Sequence, residues 1–521
     1  MARILVTETL SSRGLELMAG EGHEVDVRLS LTPAELVDAV AGAAALVIRS
    51  ATRVTAEVLE AGRDLVAVGR AGVGLDNVDI AAATRRGVMV VNAPESNILS
   101  AAEQAMALLL AQARNIPQAH AALVAGRWER SKWEGVELHG KTLGIVGLGR
   151  VGTLVAQRSL AFGMRLLAYD PYVSAERARH LGVELRGLGE LVAEADFLTV
   201  HLPKNAETVG LIGADLLAKA KPGIRIINTA RGGIIDEAAL ADAIAQGRVG
   251  GAGLDVFDKE PTTESPLFGL ASVVVTPHLG ASTAEAQDKA GVTIAEQVLL
   301  ALAGDFVPFA VNVAASGVTE PVRPFMGLVE QLGRFFGSLH ERVPDHIEVE
   351  VQGALAAERT DILTLCALKG LFATSTEDPV SYVNVPQMAA RRGLEIRETS
   401  TSSSSEYVNL ITLRSGSHSV AGTLTGSHNE PRVVMVDDHA VEVAPSAHML
   451  VIRNDDRPGM IGVVGTVLGE AGISIHSMAL EPTNQDNTAL MVLSVNSAVP
   501  DAVVASLVQS SGILGVDRIS L

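Results

Sequence analysis

Residues 141–171, KTLGIVGLGRVGTLVAQRSLAFGMRLLAYDP, constrain this chain more than any other stretch. An apolar run at 142–147 leads into three glycines at G-x-G-x-x-G spacing: Gly147, Gly149 and Gly152. A helix-period segment follows, and a second apolar run at 165–170 ends on Asp170. Strand, sharp turn, helix and strand in that order form a parallel βαβ unit. The first glycine allows the tight turn, the second lets backbone amides approach a pyrophosphate, and the third lets helix and strand pack closely. The helix N-terminus near Arg150 and Val151 turns N–H groups and a positive dipole end toward phosphates. Asp170 stands where an acid accepts from adenosine ribose hydroxyls and repels a 2′-phosphate, favouring NAD over NADP. Alone, G-x-G-x-x-G is also an ordinary glycine turn. The strand, helix and terminal acid around it point to a dinucleotide.

The same alternation fills the first three-fifths of the chain. Runs 3–7, 45–49, 65–70 and 87–92 read as strands, with helical stretches at 33–40 and 80–86. SerAlaAlaGlu at 100–103 has capping-box spacing, which predicts a crossing helix over 101–115. A second unit adds strands at 197–201, 223–228, 250–257 and 272–276, and helix 284–303 is expected to return to the first unit. Beyond 313 the texture changes. Ser/Thr-rich residues 398–407 read as a loop or mobile edge. Runs 347–351, 409–413 and 420–425 read as strands, and 432–436 with 440–443 as a hairpin turning at AspAspHis. From 448 the order is strand, helix, strand, strand, helix, strand, a ferredoxin-like module.

At 521 residues, three or four domains of about 150 residues are expected. A net charge of −19 argues against nucleic acid or an anionic membrane as partner. No apolar run reaches about 18 residues, so no membrane span is expected. The N-terminal MARILVTETL enters a strand pattern rather than a signal peptide. The single cysteine, Cys366, lies in an apolar segment as a buried thiol and fits a reducing compartment; a cytoplasmic protein is expected.

Three residues follow successive strands of the second unit: Arg231 in TARGG, Glu260 in DVFDKEP and His278 in TPHLGAST. Ligands of open parallel sheets bind beyond the carboxyl ends of the strands. A guanidinium there can hold a carboxylate and polarise the adjoining carbonyl. An imidazole can move a proton, and a neighbouring carboxylate orients it and stabilises its charged form. Singly, each could be a loop histidine or a surface ion pair. As a set they suit a hydroxy or keto acid, and no metal is called for.

The series GLGRVG, HLPKNAETVGLI, NTARGGIIDE, AGLDVFDKEP and TPHLGAST resembles the D-isomer-specific 2-hydroxyacid dehydrogenases over about residues 1–312. The resemblance implies that Arg231, Glu260 and His278 are catalytic; formate dehydrogenases carry glutamine at the glutamate position. It implies NAD contacts at Gly147, Gly149, Arg150, Val151, Gly152, Asp170, Leu202, Thr229, Ala230, Arg231, Asp255, His278, Leu279, Gly280 and Ala281. VIRSATRVTAEVLE, VGRAGVGLDNVDI and VVNAPESNILSAAE look most similar to family members that oxidise 3-phospho-D-glycerate at the start of L-serine biosynthesis. These segments present Arg49, Arg53 and Arg70, cations that a dianionic phosphate needs. RWERSKWEG looks like a stretch that offers a cation, here Arg130, to a neighbouring subunit's site, so a homo-oligomer (dimer or tetramer) is implied.

The implied fold is α/β: a discontinuous flavodoxin-like substrate domain (1–98 and 283–312), a Rossmann NAD domain (99–282), a mixed α/β intervening domain (313–446) and an ACT domain (447–521). DDRPGMIGVVGTVLGEAGISIHSM looks like the opening of an ACT domain, a regulatory module for an amino-acid effector. Asn454, Asp456 and Ser474 are its candidate contacts. Ser474 stands where serine-inhibited relatives carry asparagine, and Asn454 where His or Tyr is usual, which leaves L-serine open as the effector. Two other readings are a glyoxylate or hydroxypyruvate reductase of the same family and an NAD-sensing scaffold or corepressor. The arginines and the ACT-like tail speak against the first, and the complete Arg-Glu-His set against the second.

Overall fold

Short runs of Val, Ile, Leu and Ala with almost no polar residue are suited to strands covered on both faces. In the computed structural model, which describes residues 1–314, 318–340, 342–376, 380–404, 406–482 and 487–521, two parallel sheets are built this way. The first holds β1 (Arg3–Val6), β2 (Glu24–Val27), β3 (Ala45–Ile48), β4 (Ala67–Arg70) and β5 (Met89–Asn92) in the order β2-β1-β3-β4-β5. That is the flavodoxin-like order. Ile4, Val6, Val47 and Val91 pack with Ile294 and Val298 of helix Ala284–Ala303, while Leu5, Leu46, Ile48 and Val90 meet Leu36, Val40 and Leu59 on the opposite face.

The second sheet contains β6 (Thr142–Val146), β7 (Arg165–Tyr169), β8 (Glu184–Leu185), β9 (Phe197–Val200), β10 (Ile224–Asn228), β11 (Val249–Leu254) and β12 (Val273–Val275). Its order, β12-β11-β10-β9-β6-β7-β8, reverses direction between β6 and β9. Loops diverge there and leave a crevice at the carboxyl edge.

The strands expected from apolar runs all occur, most of them trimmed or extended by one to three residues. In these two parallel sheets two strands were not expected, β2 and β8, and both are edge strands of polar sequence, EVDV and EL. The capping-box expectation at 100–103 is corrected. The crossing helix starts earlier, spans Ile98–Ala113 and has no side-chain cap at Asn97. The Ser100 hydroxyl lies 2.7 Å from that of Thr283, which caps helix Ala284–Ala303, so the two crossings between units are tied together.

The third unit is a six-stranded mixed sheet under helices Phe325–Ser338 and Asp361–Ala373. Residues 398–401, expected as a loop or mobile edge, belong to the exposed edge strand Glu395–Thr401, paired in parallel with His346–Gly353. Ser/Thr composition signals solvent exposure, which an edge strand shares with a loop; Ser405 lies outside the described residues. The hairpin turns at Asp437 and Asp438, both with positive φ (48° and 62°), as a two-residue hairpin loop requires. Cys366 is buried, and burial pushes its thiol up to about 12, so it is no nucleophile.

The fourth unit is a four-stranded antiparallel sheet with helices Met460–Glu470 and Asp501–Gln509. Leu450, Ile452 and Leu493 pack beneath those helices. Met449, Val451, Val492 and Ile519 point the other way, into the core of the third unit. The third unit in turn touches the first: Val383 enters its core, and the Ser381 hydroxyl donates to the Gly87 carbonyl at 2.9 Å. Among the described residues no helix is long and apolar enough to cross a membrane.

Candidate active site

Arg231, Glu260 and His278 follow the carboxyl ends of β10, β11 and β12. Nδ1 of His278 stands 2.6 Å from Oε2 of Glu260, whose Oε1 accepts from the Phe257 amide at 2.8 Å. Burial works to raise the Glu260 carboxyl. His278, the Phe257 amide and Arg231 outweigh it and hold the group below its usual value. His278 has φ 54°, a conformation uncommon for a residue with a side chain. Asp255 accounts for it. Completely buried, its carboxylate accepts from the Leu279 amide (2.7 Å), the Gly280 amide (2.8 Å) and the Thr276 hydroxyl (2.5 Å). Its own carbonyl accepts from the His278 amide. Gln104 of the crossing helix also reaches Thr276 and Asp255, a link with no signal in the sequence pattern.

Arg231 reaches from the second unit toward the first. Its Nε lies 3.5 Å from the Asp76 carboxylate, and a Cβ on Gly74 would sit 2.4 Å from its guanidinium. A side chain at 74 would push the Arg231 guanidinium aside. A cleft of about 950 Å³ has Arg49, Arg70 and Ser96 on one wall and Glu260, His278 and Ala281 on the other; Arg231, held at Asp76, is not among the residues that line it. Arg70 is partly buried, and its buried Nε has no hydrogen-bond partner. Burial first, then the nearby Arg231, push its guanidinium down to about 10, with Glu8 and Asp76 opposing. A partly buried cation beside two others, with a donor left over, is electrostatically suited to an anion.

The glycine turn fits a dinucleotide. Gly147 has φ 96°, and a Cβ there would lie 2.6 Å from the His201 carbonyl, with Leu202 alongside. A Cβ on Gly152 would meet the Gly147 carbonyl at 2.1 Å, so helix Arg150–Ala161 presses directly on the turn. Gly149 begins that helix with no side-chain cap. Asp170 accepts from the Leu148 amide at 2.8 Å and the Tyr172 amide at 2.9 Å, anchoring the turn beside the expected ribose position. Arg150 pairs with Glu95 at 2.9 Å, and Val151 follows it on the helix. The buried Thr229 hydroxyl oxygen, next to Ala230, lacks a partner, leaving a polar atom for a ligand to satisfy.

Not every candidate comes to the cleft. Arg53 is exposed and is not among the lining residues, because Val54 turns inward beside it. Arg130 is exposed on a short 3₁₀ turn, Arg130–Trp133, outside this chain's own cleft. In the fourth unit Asn454 is buried with its Oδ1 unpartnered, Asp456 is exposed, and the exposed Ser474 donates its backbone N–H to Oδ1 of Asn496.

Residues 106–280 match the NAD binding domain of D-isomer specific 2-hydroxyacid dehydrogenases, 321–437 the D-3-phosphoglycerate dehydrogenase intervening domain, and 448–510 the ACT domain. The D-3-phosphoglycerate dehydrogenase of Mycobacterium tuberculosis is 52% identical over 493 residues, 93% of each chain. The chain belongs to the D-3-phosphoglycerate dehydrogenase family. That of Methanocaldococcus jannaschii is 40% identical over the whole of both chains. Among solved structures, the TT0316 protein of Thermus thermophilus is 36% identical with a TM-score of 0.56, covering 59% of this chain and 99% of its own. A D-lactate dehydrogenase of Aquifex aeolicus complexed with NAD and lactic acid is 25% identical, with a TM-score of 0.53 over 58% of this chain and 96% of its own. The chain thus combines the family's NAD-binding oxidoreductase half with its intervening and ACT domains.

Proposed function

We propose that this protein oxidises 3-phospho-D-glycerate to 3-phosphooxypyruvate with NAD, the first step of L-serine biosynthesis. The carrying observation is the His278–Glu260 pair facing Arg49 and the unpartnered Arg70 across one cleft. Arg49 and Arg70 anchor the phosphate, which sets C2 before His278. Arg231 takes the C1 carboxylate and the C2 oxygen, leaving Asp76 as it does so. His278 uses Nε2 to accept the C2 hydroxyl proton, while Nδ1 remains on Glu260, whose ionised carboxylate stabilises the imidazolium. NAD, when bound, supplies the hydride acceptor; the 147–152 turn and Asp170 hold it, and Thr229 offers it a hydroxyl. Ser100 and Thr283 mark the hinge about which the units close and exclude water.

Arg53 and Arg130 serve at the edges of this scheme: Arg53 at the cleft mouth, and Arg130 in the cleft of a second copy within a homo-oligomer. Asn454, Asp456 and Ser474 form the contact set for an amino-acid effector. Residues 1–98 with 283–312 form the substrate domain, 99–282 the NAD domain, 313–446 the intervening domain and 447–521 the ACT domain of a cytoplasmic enzyme. NADH oxidation on phosphohydroxypyruvate, hydroxypyruvate and glyoxylate, measured side by side, tests the reading. Preference for the phosphorylated acid supports it, preference for glyoxylate points to a reductase, and inactivity on all three points to a scaffold.

A further inference from the structure

The segment carrying Arg49 leaves β3 at Ile48 with no regular structure of its own, so something else must fix it. Two side chains do. Glu8, just beyond β1, turns its carboxylate onto three backbone N–H groups: Arg49 at 2.8 Å and Thr52 at 2.9 Å on Oε1, and Ala51 at 3.1 Å on Oε2. From the other side the Asn77 amide donates to the carbonyls of Arg49 (2.7 Å) and Thr52 (2.6 Å). The Thr7 and Thr52 hydroxyls add a contact at 2.9 Å. Both clamps grip main chain, so they set the path of the turn whatever side chains it carries. Asn77 also neighbours Asp76, the residue that holds Arg231.

A carboxylate so placed has a cost. Glu8 brings negative charge next to the arginines that must receive a dianion, and its field opposes Arg231's on Arg70. Engagement with three amide dipoles spreads that charge onto the turn. We propose that Glu8 is a positioning residue for substrate selection: with Asn77 it holds the 49–52 turn so that Arg49 and Arg70 meet one phosphate together. The inference rests on the phosphate-anchoring reading of those arginines.

The test is the ratio of kcat/KM for phosphohydroxypyruvate over hydroxypyruvate in the full-length protein. Glu8→Ala should lower that ratio about tenfold, chiefly through KM for the phosphorylated acid. Glu8→Gln, which keeps the shape but offers one accepting oxygen, should fall between. Asn77→Ala should shift the ratio the same way and serves if Glu8→Ala does not fold. Arg49→Ala is the reference. If it leaves the ratio unchanged, the phosphate reading itself fails. If it lowers the ratio while Glu8→Ala and Asn77→Ala do not, the Glu8 inference alone is overturned. Equal losses on both acids, accompanied by a lower Tm, would likewise reduce Glu8 to a structural role and overturn it.

Discussion

Nδ1 of His278 and Oε2 of Glu260 are 2.6 Å apart, so the ring is oriented before any substrate arrives. His278→Ala should therefore lower kcat at least about a hundredfold with NADH affinity retained. Near-normal turnover in steady-state assays would end the acid–base assignment.

Glu260 offers a check in pH. Its folded pKa lies below the usual carboxylate value, so the stabilisation from its ionised form is present above the unfolded value and lost as pH falls through the folded one. The wild type's margin in unfolding free energy over Glu260→Gln should therefore shrink as the solution is acidified through the carboxylate range. A gap that widens in acid would contradict the sign.

Both parallel sheets were legible because strands covered on two faces must be apolar throughout. The polar edge strands β2 and β8 carry no such mark. At the site, Arg231, Glu260 and His278 announced themselves by following strands. Asp255 was read as a cofactor contact, and its bonding within the 276–280 loop depends on backbone partners that no motif spells out. Glu8 was missed for the same reason: its partners are amides more than 40 residues away.

Arg70 is partly buried, and its Nε has no acceptor. Arg70→Met should raise KM for the phosphorylated substrate tenfold or more, with a much smaller change for hydroxypyruvate; tenfold corresponds to about 1.4 kcal/mol. The ligand-free variant should melt no lower than the wild type, by about 2 °C or more in its favour. Steady-state kinetics on both acids read the first effect, and differential scanning calorimetry reads the second. A destabilised variant with unaltered KM would contradict the anion role.

Asp170 couples cofactor choice to loop order. Asp170→Ala should weaken NAD binding about tenfold and narrow the gap between NAD and NADP, because a repelling charge is lost together with the anchor on Leu148. Titrations of both cofactors by fluorescence would show it, and an unchanged ratio would argue against ribose recognition.

Deleting 447–521 should not yield a well-behaved remainder. Met449, Val451, Leu490, Val492 and Ile519 belong to the third unit's core, so removal bares its apolar surface. Dye binding and aggregation should rise relative to the full chain; a monodisperse truncation with unchanged Tm would count against a shared core.

The Ser381 hydroxyl grips Gly87, the C-cap of a short rod, helix Ile80–Arg86. The rod's other end is capped by Asp79, two residues beyond Asn77. The C-terminal half therefore has its hand on one end of a lever whose opposite end holds the turn that carries Arg49. Seven residues of helix separate the Asp79 cap from the Ser381 contact.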